Sequence, residues 1–170
     1  MASTTLADGA EVRPDARFLF GHPAHFIALG FGAGLSRIAP GTIGTLVAFP
    51  IFDLLYPRLP DPWFAALLLA LFVVGSWACD RTGRDLRVHD HGGMVFDEIV
   101  AFLLVLFMLP PGLLWQAFGF LLFRAFDIVK PMPIRYYDQT VKNGFGVMFD
   151  DLIAACYALF VLAAWKAMVL

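Results

Sequence analysis

The hydrophobic residues of this chain are concentrated in five segments that are separated by short polar stretches. The five segments cover residues 42–56, 63–79, 94–109, 113–129 and 148–170. Apolar character that continues over so many residues favours helices. Most of these segments are shorter than the ~20 residues that a helix needs to cross a bilayer at right angles. We therefore expect kinks, partial burial in the bundle or local thinning of the membrane.

An earlier apolar and glycine-rich stretch, residues 24–35, is too short to span a bilayer. We expect it to be a re-entrant or interfacial segment that lines a site. Clusters of Pro and Gly predict turns at residues 57–62, 110–112 and 131–133. The predicted fold class is all-α, a polytopic helical membrane bundle of about five apolar helices. We expect residues 1–23 to form a polar cytoplasmic N-terminal segment and residues 24–170 to form a single membrane-embedded catalytic domain.

The composition supports a membrane location. Hydrophobic residues make up 60% of the chain and charged residues 15%, whereas soluble proteins average about a quarter charged. The net charge of −2 and the absence of a Lys or Arg run predict no nucleic-acid partner. The first twenty residues lack the apolar core of a signal peptide, so we expect the amino terminus to stay in the cytoplasm.

The basic residues predict the orientation of the bundle. Lys and Arg near the ends of spans collect on the cytoplasmic side. With the amino terminus inside, the internal basic residues are Arg13, Arg17, Arg37, Arg81, Arg84, Arg87, Arg124, Lys130, Arg135 and Lys142, ten of the twelve. Only Arg58 and Lys166 fall outside. This asymmetry predicts five crossings of the membrane, with the carboxyl terminus outside.

Acidic residues occur at the cytoplasmic ends of three predicted helices. They are Asp97 and Glu98, Asp127, and Asp150 and Asp151. Acids within apolar helices are costly unless they meet a cation or a water-filled cavity. A single pair at a helix amino end is also explained by the helix dipole, but convergence from three helices favours a metal site. Carboxylates without His or Cys partners suit Mg²⁺, particularly beside phosphate.

Basic and hydroxyl side chains near these acids are candidates for binding phosphate. Arg124 and Lys130 lie three residues either side of Asp127 on one helical face, although an ordinary ion pair at a helix end would place them there too. The glycine-rich residues 30–45 add Arg37, Thr42 and Thr45 in a loop whose backbone donors suit an anion. Close helix packing is the alternative explanation for the glycines at positions 30 and 34.

The predicted internal loop before residue 94 contains His89, Asp90 and His91. A histidine there suits proton transfer, but a solvated loop residue is the simpler interpretation of each His. Asp90 is the stronger candidate of the three.

Four stretches of the chain resemble the phosphatidylglycerophosphatase A family. They are residues 30–45 with P-G-T-I-G-T, 88–98 with V-H-D-H-G-G-M-V-F-D-E, 123–133 with F-R-A-F-D-I-V-K-P-M-P, and 144–151 with G-F-G-V-M-F-D-D. The resemblance implies a Mg²⁺-dependent phosphatase of bacterial phospholipid synthesis, located in the inner membrane. Its implied substrate is phosphatidylglycerophosphate, and its implied products are phosphatidylglycerol and phosphate.

The expected mechanism is direct attack by metal-activated water, and an acyl-phosphate on one Asp remains an alternative. Asp97, Glu98, Asp150 and Asp151 are the expected metal ligands, and Asp127 completes the site or acts as base. Arg124, Lys130 and Arg37 are expected to hold phosphate. A small cation or proton transporter is the rival function, but its site is expected near the midplane, whereas these acids lie near helix ends.

Overall fold

The computed structural model describes residues 13–169, and all regular elements in this range are helical. The α-helices are α1 (Ala16–Leu19), α2 (Pro23–Ala28), α3 (Pro40–Leu55), α4 (Asp61–Leu86), α5 (Phe96–Met108), α6 (Leu113–Val129), α7 (Ile134–Thr140) and α8 (Gly144–Val169). Two 3₁₀ helices, Gly30–Leu35 and Tyr56–Arg58, precede and follow α3. The prediction of an all-helical fold is therefore confirmed.

Helix α5 forms the centre of the bundle. Nine of its thirteen residues are buried, and it packs against α3, α4, α6 and α8. A helix that is apolar on every side can be accommodated only where neighbours cover all of its faces. The two acids in its first turn, Asp97 and Glu98, are thereby placed inside the bundle.

The outer helices expose large apolar side chains. Examples are Leu69 and Val73 on α4, Leu121 on α6 and Phe160 on α8, all more than 60% exposed. Exposed apolar surface of this extent indicates contact with lipid or another protein. Among the described residues, two helices are long and apolar enough to cross a membrane, namely α4 and residues Gly144–Met168 of α8. Three further helices are shorter, namely α3, α5 and α6 with 16, 13 and 17 residues. The five crossings therefore remain a prediction.

The helix bounds differ from the predicted segments where polar side chains extend a helix. Helix α6 has the predicted bounds, whereas α4 continues seven residues past position 79. Its last turns are stabilised by i,i+4 ion pairs of Arg84 with Asp80, at 2.7 Å, and of Arg81 with Asp85, at 2.8 Å. Helix α8 begins four residues early because Asn143 Oδ1 accepts a hydrogen bond from the Gly146 amide, at 3.0 Å.

Residues 24–35 form two short helices that meet at a kink. Helix α2 is followed by the 3₁₀ helix Gly30–Leu35, in which Phe31 and Gly32 have φ of 60° and 103°. Helix α2 packs on α4, where buried His25 hydrogen-bonds Asp85 through Nε2 at 2.9 Å. The interfacial placement of this stretch stays a prediction. Residues 1–12 of the predicted polar N-terminal segment lie outside the described residues.

Candidate active site

Three helix ends bring the predicted acids together. Asp97 and Glu98 lie in the first turn of α5, Asp127 lies in the last turn of α6, and Asp150 and Asp151 lie in the second turn of α8. These three helices contact one another pairwise. The acids therefore meet at one end of the bundle, as the charge pattern predicted.

Asp97, Glu98 and Asp151 form a carboxylate cluster. One oxygen from each lies within 4.8 Å of the others, and Asp97 and Asp151 are only 7% and 3% exposed. Glu98 Oε2 and Asp151 Oδ2 are buried and have no hydrogen-bond partner among the described residues. Buried anionic oxygens without partners are strongly destabilising. The cluster therefore fits a hard divalent cation, which prefers exactly such oxygen ligands.

Arg124 connects this cluster to the end of α6. Its NH1 group donates a hydrogen bond to Asp127 Oδ2 and lies 3.4 Å from Glu98 Oε1. Its Nε is buried and has no partner in the described chain. The guanidinium group thus retains a donor for a further anion, which is what a phosphate-binding arginine requires.

Negative charge exceeds positive charge at this end of the bundle. The cluster and Asp127 together supply four carboxylates, and Asp127 lies within electrostatic reach of Asp151. Among the described residues, Arg124 is the basic side chain paired with these acids. One guanidinium cannot compensate four buried carboxylates. The charge balance independently favours a bound cation.

Lys130 belongs to a separate network. Its Nζ donates to Asp138 Oδ1 at 2.7 Å and to Asp150 Oδ2 at 2.6 Å. Burial acts to lower the pKa of Lys130, but the two carboxylates outweigh burial and raise it above its usual value. Lys130 is therefore a permanent cation, and Asp150 is its counter-ion rather than a member of the Asp97 cluster. Asp138 was not among the predicted residues, because nothing in the local sequence around α7 distinguishes it from a solvated acid.

The other predicted residues lie around this centre. Thr45 is fully buried, and its hydroxyl donates to the Gly41 carbonyl oxygen at 2.9 Å. Thr42 is half-buried in the first turn of α3. Arg37 is exposed and lines a cavity that also includes the buried His91. The exposed His89 and Asp90 line a second cavity of about 230 Å³, beside Asp138 and Asp150.

Comparison with known proteins identifies the family of the chain. The family model described as phosphatidylglycerophosphatase A matches residues 26–166. The chain belongs to the phosphatidylglycerophosphatase A family. The matched range includes all the acidic and basic residues of the site described above, from Arg37 to Asp151.

Individual relatives of the phosphatidylglycerophosphatase A family are similar over most of their length. A phosphatidylglycerophosphatase A of Haemophilus influenzae is 44% identical over 84% of this chain and 88% of its own. The phosphatidylglycerophosphatase A of Escherichia coli is 40% identical over 82% of this chain and 81% of its own. A putative phosphatidylinositol-3-phosphatase of Bacteroides thetaiotaomicron is 38% identical over 81% of this chain and 89% of its own. No solved structure matches. These relatives are bacterial, and two helices of the described chain have the length and apolar composition of membrane spans, which together support a bacterial membrane protein.

Gly41 provides a test of the site in this member of the phosphatidylglycerophosphatase A family. A Cβ at position 41 would overlap Glu98 Oε1 and lie 3.0 Å from Arg124 NH2. We expect Gly41→Ala to separate these two groups and lower turnover about 100-fold, since displacements near 1 Å have effects of that order. Steady-state phosphate release from lipid substrate measures the loss.

Gly119→Ala is the matched control for Gly41→Ala. A Cβ at Gly119 would lie 2.6 Å from the Leu109 side chain, in the half of α6 away from Arg124. This variant should lose thermal stability without losing turnover per folded molecule. Equal losses of turnover in the two variants would show that Gly41 serves only helix packing.

Proposed function

We propose that this protein is a Mg²⁺-dependent phosphatase that converts phosphatidylglycerophosphate to phosphatidylglycerol and phosphate. Two relatives that are at least 40% identical carry the name of this activity. The observation that carries the metal requirement is the pair of buried, unpartnered oxygens, Glu98 Oε2 and Asp151 Oδ2, beside Arg124. The rival function of cation transport gains no support from the relatives.

Each residue of the site has a chemical role in this proposal. Asp97, Glu98 and Asp151 hold Mg²⁺, which when bound neutralises phosphate oxygens and stabilises the leaving alkoxide. Arg124 binds the terminal phosphate through the donor that the protein leaves free. Asp127, held in place by Arg124, orients the attacking water and accepts its proton.

The Lys130 network supports the site from one side. Asp150 precedes Asp151 on α8, so the ion pair between Asp150 and Lys130 restrains the helix turn that presents Asp151. Asp138 anchors the same lysine to α7.

The proposal is tested by measuring phosphate release from phosphatidylglycerophosphate by purified protein, with Mg²⁺ and after chelation. Turnover should require the metal and return on adding it back. Phosphatidylinositol 3-phosphate belongs in the same assay because one relative carries that substrate in its name. Release that is unaffected by chelation would overturn the metal requirement, and absence of release from phosphatidylglycerophosphate would overturn the substrate.

We further propose that the site faces the cytoplasm, on the basis of the distribution of basic residues. Arg84 lies at the polar end of α4, and Pro111 lies in the turn between α5 and α6. Single cysteines at these two positions should be labelled from opposite sides of the membrane, with Arg84 inside. The exposed Cys156 is first replaced by Ala to remove background labelling. Labelling of both positions from one side would contradict this topology.

A further inference from the structure

A cavity of about 520 Å³ lies between the start of the described chain, the 3₁₀ helix Gly30–Leu35 and the loop before α5. Its volume is within the roughly 300–1,000 Å³ that is usual for small-ligand sites. The polar side chains in its wall are Arg13, Asp15, Ser36, Arg37 and His91. It does not include the carboxylate cluster.

The wall of this cavity is positively charged. Arg13 and Arg37 are exposed, and neither forms an ion pair with another residue in the range 13–169. The carboxylate of Asp15 already caps α1, because its Oδ1 accepts a hydrogen bond from the Phe18 amide at 2.8 Å. With two guanidinium groups against one carboxylate, the wall carries a net positive charge that attracts an anion.

His91 adds a buried donor without a partner. The residue is 7% exposed, and its Nδ1 accepts a hydrogen bond from the Gly93 amide at 3.0 Å. The proton of the neutral ring is consequently on Nε2, which is buried and has no acceptor in the described structure. A donor in this state is normally satisfied by an acceptor from a ligand or water.

Glycine backbone closes the cavity beside His91. The peptide groups of Gly34 and Gly93 approach so closely that a Cβ on Gly93 would lie 2.9 Å from the Gly34 carbonyl oxygen. A Cβ on Gly92, in contrast, would meet nothing within 4 Å. The wall here is bare main chain with open space in front of it, which is typical of sites that bind phosphate groups.

The cavity adjoins the active site. Pro40 is part of its wall, and the next residue, Gly41, packs directly on Glu98 and Arg124. On the other side, Gly93 is separated from the start of α5 by two residues. Two consecutive residues of α3, Pro40 and Gly41, thus connect the cavity wall to the carboxylate cluster.

We infer that this cavity binds the phosphodiester group of the phospholipid substrate while the carboxylate cluster and Arg124 receive the terminal phosphate. The inference rests on the proposed function, because phosphatidylglycerophosphate carries a diester and a monoester phosphate joined by one glycerol unit. It assigns Arg37 and Arg13 to the phosphate that is retained, not to the one that is removed. It also makes the cavity a determinant of specificity for lipids that contain both groups.

Two short-chain lipids separate the two subsites. Phosphatidylglycerol carries the diester alone, whereas a phosphonate analogue of phosphatidic acid carries a terminal anion alone. Binding of each to the purified protein is measured by calorimetry in an uncharged detergent with Mg²⁺. We expect Arg37→Gln to weaken phosphatidylglycerol binding about ten-fold and binding of the phosphonate less than about two-fold, since a charge-assisted hydrogen bond is worth about one decade.

Arg17→Gln is the matched control, because Arg17 lies on α1 outside the cavity wall and its loss removes the same charge. It should leave both lipids bound as in the unmodified protein. Arg13→Gln should reproduce the selective loss of Arg37→Gln, which covers the case in which one variant fails to fold. The subsite is overturned if phosphatidylglycerol binding is unchanged in both cavity variants, or if both lipids weaken equally.

The binding measurement does not depend on turnover. Failure of the unmodified protein to release phosphate from phosphatidylglycerophosphate would overturn the proposed function, whatever the calorimetry shows. Normal release together with unselective binding losses in the cavity variants would overturn the diester subsite alone.

Discussion

Asp97→Asn and Asp151→Asn are each expected to lower turnover of phosphatidylglycerophosphate at least about 1,000-fold, because a bound metal contributes several kcal/mol to catalysis. Each substitution keeps the size of the side chain and removes a charge from the carboxylate cluster. Removing one of several mutually repelling, buried carboxylates should not destabilise the protein without metal. The loss is therefore expected in chemistry and not in folding.

Thermal unfolding distinguishes a loss of metal binding from a loss of folding. Mg²⁺ should raise the melting temperature of the unmodified protein, since a ligand that binds only the folded state stabilises it. In both variants, Mg²⁺ should no longer raise the melting temperature. In the presence of chelator, their melting temperatures should be no lower than that of the unmodified protein. Asp53→Asn is the matched control because Asp53 is an exposed acid on α3. Near-normal turnover in Asp97→Asn or Asp151→Asn would remove that residue from the metal site.

Arg124→Lys is expected to lower turnover about 100-fold even though the positive charge is retained. Arg124 contacts Glu98 and Asp127 through NH1 and keeps Nε for a further anion. A lysine ammonium is a point charge that cannot reproduce this planar set of donors. Turnover at saturating lipid measures the effect.

Lys130→Arg is the companion variant, and we expect it to retain most of the activity. Asp138 and Asp150 both accept hydrogen bonds from the Lys130 ammonium group. A guanidinium group at this position can donate hydrogen bonds to both carboxylates. If Arg124 and Lys130 serve only as interfacial anchors, both conservative substitutions should leave turnover nearly unchanged, and both alanine variants should insert less well into the membrane. If Arg124→Lys turns over normally, Arg124 does not bind the phosphate and acts only as an ion-pair partner of α5.

The local sequence was sufficient to predict those features that depend on near neighbours along the chain. Helix α6 has the predicted bounds because Gly112 and Pro131 flank a predominantly apolar segment. The ends of α4 and α8 were predicted less well, because ion pairs and an Asn cap extend these helices through polar residues. The end of the bundle at which the acids meet followed from helix order and charge.

The different roles of Asp150 and Asp151 were decided only by tertiary structure. Successive residues on a helix point about 100° apart, so the sequence predicts that the two acids face different neighbours without indicating which. Packing of α8 on α5 and α6 directs Asp151 to the cluster and leaves Asp150 to Lys130. The predicted four-acid metal set thus becomes three acids in close contact and one counter-ion.

Composition and spacing by themselves determined the helical class and the end of the bundle that carries the acids, because both follow from short-range pattern. Tertiary structure alone decided that Asp138 anchors Lys130 and that Gly41 packs on Glu98. It also decided that Arg13 and Arg37 share a cavity with His91. The physical reason is that side-chain partners distant in sequence are selected by the rotation and depth of each packed helix, and neither is encoded in the local periodicity of the chain.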